Sequence, residues 1–250
     1  MNPELRTLAE KYWQDELAAS PLQALMLGIH DYDELIDDAS REFEDARIAS
    51  LRDYAAKAAA FDPAGLSHDD QITRDVLVFE ADTRADLLEM REAEMEVNHA
   101  MGIQAMLPVI FPQFPIDEPE HARAMLKKYA AMATMIDQMT DRLRSGVAKG
   151  RTPMASTVQK TVAQVDGHLA DTPESSVFMN VRTPAAFSEE EAATWRSELA
   201  EVVRCEVYPA YARYRDYIAE HVLPASRGED TPGICHLDGA DERYRRAIKR

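Results

Sequence analysis

Apolar residues recur every three or four positions along most of this chain, which is the spacing that places side chains on one face of an α-helix. No segment shows the strict alternation that is typical of a β-strand. Breaks at Pro and Gly divide the pattern into helices at residues 3–19, 42–60, 67–90, 119–149, 154–169 and 188–222. The sequence therefore predicts an all-α fold, a bundle of about six long helices with antiparallel neighbours.

The same spacing predicts which face of each helix is buried. The clearest stripe consists of Met125, Tyr129, Met132, Ile136, Met139, Leu143 and Val147. In the third helix, we expect the inward face to consist of Ile72, Val76, Phe79, Thr83, Leu87 and Met90. The last long helix begins at a capping box of Ser188 and Glu191, should kink at Pro209 and should end at Leu223-Pro224.

Two segments do not fit a regular bundle. Residues 101–115 are apolar, uncharged and interrupted by Pro108, Pro112 and Pro115, so this connector cannot be one regular helix. We expect it to be buried under its own helices or against a partner. Residues 241–250 have the composition of a helix that starts and does not end. This hints at truncation, so we expect a truncated terminal helix, a possible sub-boundary near residues 97–117 and no second complete domain within residues 1–250.

The charge balance excludes some partners. The formal net charge is −17, so the surface repels both nucleic-acid phosphates and anionic membranes. The two cysteines, Cys205 and Cys235, give no disulfide framework. No secretory signal and no membrane-spanning apolar window are visible, so we expect a cytoplasmic protein. The sequence does not indicate an oligomeric state.

Metal-binding patterns are weak. The Glu-x-x-His spacing of di-iron bundles occurs at Glu96 and His99 and again at Glu118 and His121, but both pairs lie at helix ends, and composition alone predicts roughly 0.6 such pairs. His-Glu-x-x-His is absent. The acidic loop lacks the Gly and Glu of a calcium loop, so its carboxylates are expected to cap helices; they are Asp31, Asp33, Asp37 and Asp38. No nucleophile elbow or phosphate loop occurs, and Cys235-His236 is a poor catalytic pair because sequence neighbours point apart. We predict no catalytic residue and no metal ligand.

Several short motifs together are similar to those of one bacterial family. They are the start at residues 20–33, Asn98 before the apolar connector, the turn at residues 143–153, and Leu223-Pro224 followed by residues 233–239 and Tyr244. With these motifs the chain resembles the family named for domain of unknown function 885 over essentially its whole length.

This resemblance implies a function that the residues alone do not. Members of the family are roughly twice as long and resemble zinc-dependent peptidases, with a His-Glu metal helix in their second half. Residues 1–250 would then be the helical N-terminal region of a larger hydrolase. This region would contribute one wall of a substrate cleft and would be inactive alone. Zinc is implied for the full-length family, with no cofactor in this chain. The implied partners are the missing C-terminal half or a peptide-like substrate. Candidate cleft residues are Asn98, Arg151, His236 and Tyr244.

Two alternatives remain open at this point. The chain could be a stand-alone helical module that binds a partner or ligand through the apolar connector. It could also be a di-iron carboxylate bundle built on the two Glu-x-x-His pairs.

Overall fold

The protein is all-α in the computed structural model, which describes residues 2–248. Within that range no β-strand forms, and Met154 and Arg227 make an isolated bridge. The helices are α1 (Pro3–Ala19), α2 (Pro21–Met26), α3 (Arg41–Ala59), α4 (His68–Glu89), α5 (Ile103–Ile110), α6 (Pro119–Ala148), α7 (Ala155–Ala170), α8 (Glu189–Val202), α9 (Tyr208–Tyr217), α10 (Leu223–Ala225) and α11 (Ala240–Ala247). The prediction of an all-α fold is confirmed. No helix within residues 2–248 is long and apolar enough to span a membrane.

The chain forms two compact units, each assembled from separate stretches of sequence. The smaller unit contains Met1–Ala19, Ser40–Glu92 and Gly233–Arg250, and the larger unit contains Ser20–Ala39 and Ala93–Pro232. Residues 97–117, where the sequence suggested a possible sub-boundary, lie inside the larger unit. The expected break of the terminal helix at Arg250 lies outside the described residues, and α11 ends at Ala247.

The smaller unit is held together by the close packing of α3 against α4. Its core consists of Leu51, Tyr54, Ala55, Ala81 and Ala85. The inward face predicted for α4 is wrong in its first half, because Ile72, Val76 and Phe79 are 50%, 53% and 54% exposed. The alanines of α4 are buried instead. Two helices can approach most closely through alanine faces, so the small residues displace the larger apolar ones from the interface.

The larger unit is built around α6. Its predicted stripe is confirmed: Met125, Tyr129, Met132, Ile136 and Leu143 are buried, and Met139 and Val147 pack partly buried against the same core. Burial of the Tyr129 ring raises the pKa of its hydroxyl, which donates to Phe178 O at 2.7 Å. Since α6 presents one continuous apolar face, α8 and α9 pack along it.

The apolar connector is buried under helices of its own unit. Leu107, Phe111 and Phe114 are almost fully buried, while α5 continues through Pro108. Proline has no N–H, so the carbonyl of Gln104, one helical turn earlier, loses its usual donor. The ring of His168 supplies another, with Nε2 placed 2.8 Å from Gln104 O. A side chain from α7 therefore permits a helix where the sequence predicts only a break.

The last long helix accommodates its prolines by local rewinding. A π-helical segment, Val203–Val207, lies just before Pro209, and a second, Ile218–Val222, lies just before Pro224. Such segments change the backbone hydrogen-bond spacing where a regular bond is unavailable. The helix continues to Ala225, where Ser226 Oγ donates to Val222 O at 2.7 Å.

Gly146 marks the closest approach of two backbones in the larger unit. A Cβ atom at this position would lie 1.7 Å from Glu94 O, so any side chain must displace main-chain atoms. Gly167, in α7, has no atom within 4 Å of the equivalent position. Both glycines are helical, which makes the second a matched control for the first.

We predict that Gly146→Ala lowers the free energy of unfolding by about 1–3 kcal/mol, because overpacking forces a backbone shift. Gly167→Ala should instead raise it by up to about 1 kcal/mol, since alanine is the better helix former. Urea unfolding of both variants measures the two changes. Equal effects of the two substitutions would contradict the close approach at Gly146.

Candidate functional site

Asn98 and Arg151, two of the residues proposed for the cleft, lie in the larger unit and have defined roles there. Asn98 Oδ1 accepts hydrogen bonds from the backbone N–H groups of Ala100 and Met101, at 2.9 and 3.2 Å. This is a local turn that leads the chain into α5. The Asn98 side chain thus shapes the backbone ahead of the apolar connector.

Arg151 takes part in an ion-pair cluster around a fully buried carboxylate. Glu94 accepts from Arg151 Nη1 at 2.6 Å and from Lys149 Nζ at 3.0 Å, and it has no exposed surface. Ser145 Oγ lies 3.4 Å from the same carboxylate. The turn from α6 to α7, where Gly150 has a φ of +68°, brings both cations onto Glu94. The cluster clamps this turn onto the segment that precedes the connector.

The other two proposed residues, His236 and Tyr244, lie in the smaller unit. His236 is exposed in a short turn that precedes α11, and Tyr244 is exposed on α11 itself. Next to it, Arg243 Nη1 donates to Met90 O at 2.9 Å, and Arg246 Nη1 pairs with Glu89 at 2.7 Å. These bonds hold α11 on α4 and leave the Tyr244 ring free to contact another molecule. The assignment of all four residues to a cleft stays a prediction.

A surface groove of about 610 Å³ occurs in the larger unit between the end of α6 and the final turns of the long helix. Its wall is partly apolar and partly charged, formed by Arg144, Val147, Tyr217, Glu220, His221 and Pro224. The Arg144 guanidinium lies 4.9 Å from the centre of the Tyr217 ring, a cation–π distance.

The acidic loop between α2 and α3 is fixed in place by buried contacts. Asp37 Oδ1 accepts from Leu22 N at 3.0 Å, which confirms that a loop carboxylate caps a neighbouring helix. Lys128 of α6 is fully buried, and its ammonium donates to the carbonyl of Leu35. Burial lowers the pKa of Lys128 to about 8, partly offset by the charges of Asp33 and Asp37.

One group of side chains in the larger unit can hold a metal ion. His30, Asp33 and His121 each present a ligand atom, and these atoms lie within 4.8 Å of one another; no other such group occurs in residues 2–248. The di-iron hypothesis is not supported, because Glu96, His99 and Glu118 do not belong to this group. No sequence motif predicted this cluster. Its only signal was the His30-x-x-Asp33 spacing, since His121 is remote in sequence.

These features describe an all-α protein with two compact units, each built from separate segments of the chain. Ion pairs to the buried Glu94 carboxylate hold the turn after α6 in place. The chain belongs to the family described as "Bacterial protein of unknown function (DUF885)", whose model matches residues 21–250. The resemblance inferred from the sequence motifs is therefore confirmed.

Among solved structures, the chain is similar to one described as "the putative lipoprotein from Colwellia psychrerythraea". The TM-score is 0.86 at 18% identity, and the match covers 98% of this chain and 45% of that one. The chain thus spans less than half the length of this relative, and at this identity the likeness concerns the fold. No curated protein matched the chain.

We predict that Glu94→Gln lowers the free energy of unfolding by about 1–3 kcal/mol. The substitution keeps the volume but leaves two cations without their buried partner; both are partly exposed, so solvent limits the loss. Chemical denaturation measures the change. The control is Asp141→Asn, which removes an exposed pair with Arg144 and should cost less than about 0.5 kcal/mol. Similar losses in both variants would contradict the clamping role.

The lowered pKa of Lys128 predicts a pH dependence. The unfolded chain binds the lysine proton up to its ordinary pKa of 10.5, whereas the folded protein releases it near pH 8. The penalty of burying the charge is complete below pH 8 and is relieved as the pH rises toward 10.5, so stability gains on the order of 2–3 kcal/mol.

The measurement compares the free energy of unfolding of the wild type with that of Lys128→Met across pH 7–10, with a metal chelator in the buffer. The wild type should gain stability relative to this variant as the pH rises. Lys127→Met is the matched control, because Lys127 is exposed and pairs with Glu34 at the surface. A parallel pH profile for the wild type and Lys128→Met would refute the prediction.

Proposed function

We propose that this chain is the helical N-terminal region of a zinc-dependent, peptidase-like hydrolase and contributes one wall of its substrate cleft. The observation that carries the proposal is the fold match, in which 98% of this chain corresponds to 45% of a longer protein. The family-model match over residues 21–250 supports it, because the resemblance drawn from the sequence motifs implies that members of this family are peptidase-like. The cytoplasmic location stays part of this proposal.

The zinc implied by the resemblance does not fit this part of the chain. The resemblance puts that metal on a helix that carries a His-Glu pair, and residues 1–250 contain no such motif. The metal-capable group of residues 2–248 combines a loop with the first turn of α6 instead. We therefore assign the chemical step to no residue of this chain and limit its role to binding and positioning.

The described residues provide means of contacting a peptide. The exposed Tyr244 ring in the smaller unit offers an apolar surface with a hydroxyl, and His236 offers an exposed imidazole ring. In the larger unit, the groove beside Tyr217 offers apolar contact together with the Arg144 cation. An acidic protein that must retain a peptide carboxylate needs such local cations, because its overall field repels anions.

The alternative of a stand-alone module that binds through the apolar connector is less well supported. Leu107, Phe111 and Phe114 are almost fully buried in the core of the larger unit, so the main apolar side chains of the connector cannot meet a partner. Met101 and Val109 are exposed, but two scattered apolar residues are normal on a protein surface.

The proposal is tested by comparing the 250-residue chain with the longer polypeptide that the proposal implies, using a mixed peptide library and mass spectrometry. The longer protein should cleave peptides and lose activity with a chelator, whereas the chain alone should not. Peptide cleavage by the chain alone would overturn the proposal. A longer protein that contains zinc but cleaves no peptide would also overturn it.

The cleft residues are tested in the active protein with Tyr244→Ala. We expect kcat/KM to fall about tenfold through a higher KM, since a ground-state contact is lost while the fold is unchanged. Arg245→Ala is the matched control, because its exposed side chain leaves α11 in a different direction. Equal kinetics of the two variants would remove Tyr244 from the cleft.

A further inference from the structure

His30, Asp33 and His121 meet at a surface concavity of the larger unit although they come from two separate segments. His30 and Asp33 lie in the acidic loop after α2, and His121 occupies the first turn of α6. The rings of His30 and His121 stack with centroids 4.1 Å apart and planes 4° from parallel. His30 Nδ1 lies 2.7 Å from Asp33 Oδ2.

The scaffold beneath this cluster is fixed. Besides the buried Lys128 and the Asp37 cap, Gln138 Oε1 accepts from Ala39 N at 2.9 Å, at the end of the acidic loop. Through Lys128 and Gln138 the loop is thus attached to α6 at points about two and five turns from His121. A site whose supporting contacts are already in place loses little conformational entropy when a ligand binds.

Asp33 carries an oxygen that the protein does not use. Its side chain is only 11% exposed, and Oδ1 has no hydrogen-bond partner, although it is shielded from solvent. Leaving such an acceptor unpaired is unfavourable, because it has lost its water partners and gained none in the protein. Lys128, the nearby buried cation, directs its ammonium to backbone carbonyls instead. A cation at the cluster would satisfy this oxygen.

The surroundings favour a cation over an anion. The concavity measures about 530 Å³ and is also lined by Asp31, Glu34 and Glu120. Lys127, the adjacent surface cation, is paired with Glu34 at 2.6 Å. Carboxylates around two imidazoles raise the local concentration of cations.

The type of donor selects among cations. Two ring nitrogens and one carboxylate oxygen suit zinc and similar first-row divalent ions, whereas calcium and magnesium prefer sites made of oxygen alone. Ligands of one zinc ion lie about 2.0–2.2 Å from it and hence up to about 4 Å apart. The ligand atoms of the three side chains lie within 4.8 Å of one another, so a movement of about 1 Å brings them to this spacing. The histidine rings can make this movement by rotating about χ2, a torsion with a broad energy minimum.

We propose that His30, Asp33 and His121 form a binding site for one zinc-like divalent ion, with water in the remaining positions. The ion joins the acidic loop to the start of α6, so its effect is to stabilise the larger unit. This inference does not depend on the hydrolase function. The site is carried entirely by described residues of this chain and takes no part in peptide cleavage.

Cobalt(II) titration of the purified 250-residue chain tests the site, because its visible absorption reports nitrogen and oxygen ligands directly. We expect saturation at one ion per chain and displacement by zinc. His121→Ala and Asp33→Asn should weaken binding at least about tenfold. Asp31→Asn is the matched control: it removes the same charge from the same loop at an exposed, non-ligating position and should change the affinity less than about threefold.

Thermal unfolding in chelator separates loss of ligand from loss of fold. All three variants should unfold within a few degrees of the wild type without metal, and zinc should raise the midpoint of the wild type and Asp31→Asn only. Absence of a saturable cobalt spectrum, or equal affinity of Asp33→Asn and Asp31→Asn, would overturn the site. Neither outcome bears on the hydrolase proposal, which is judged by peptide turnover.

Discussion

The apolar stripe of α6 is buried in the core of the larger unit. Polar groups buried beside it form hydrogen bonds to several other segments of the chain. Tyr129 donates to Phe178 O in the loop after α7, and Trp195 Nε1 on α8 donates to Ala122 O of α6 at 2.9 Å. Lys128 donates to the acidic loop. An unpaired buried donor costs about 1–3 kcal/mol, so each bond fixes where an irregular segment must lie. The loops of the larger unit therefore owe their positions to one helix, and the cluster at His121 depends on that arrangement.

The buried face of a helix was easier to predict from its sequence where that face carries large apolar side chains than where it carries alanines. The buried stripe of α6 could be predicted because Met, Tyr, Ile and Leu recur at helical spacing and there are few competing apolar residues on other faces. In α4, Ile72, Val76 and Phe79 have the same spacing, yet Ala81 and Ala85 face α3. Periodicity weighs residues by hydrophobicity, whereas helix pairs are also selected by how closely their axes can approach. Alanine is only weakly hydrophobic, but it lets the axes of two helices approach closely.

The functional contacts were less accessible to sequence reasoning than the helices. Motifs identified the family and included the turn at Arg151, but the buried partner of this arginine, Glu94, was not predicted. Likewise, the spacing of His121 from Glu118 was noted, and these two residues form a capping box, but the contact of His121 with His30 and Asp33 was not predicted. A motif records positions close in sequence. Which loop returns to a helix end depends on buried lysine and amide contacts, such as those of Lys128 and Gln138, that no local pattern encodes.

The two π-helical segments of the long helix have a consequence for its winding. From Trp195 the buried residues follow at Leu199, Val203, Val207 and Tyr211, always four positions apart. With 3.6 residues per turn, each such step overshoots by about 40°, so an ordinary α-helix would carry the row about 160° around its axis. The wider turns at Val203–Val207 absorb part of that drift. The wider turn before Pro209 therefore keeps this buried row closer to one side of the helix than regular α-helical winding would.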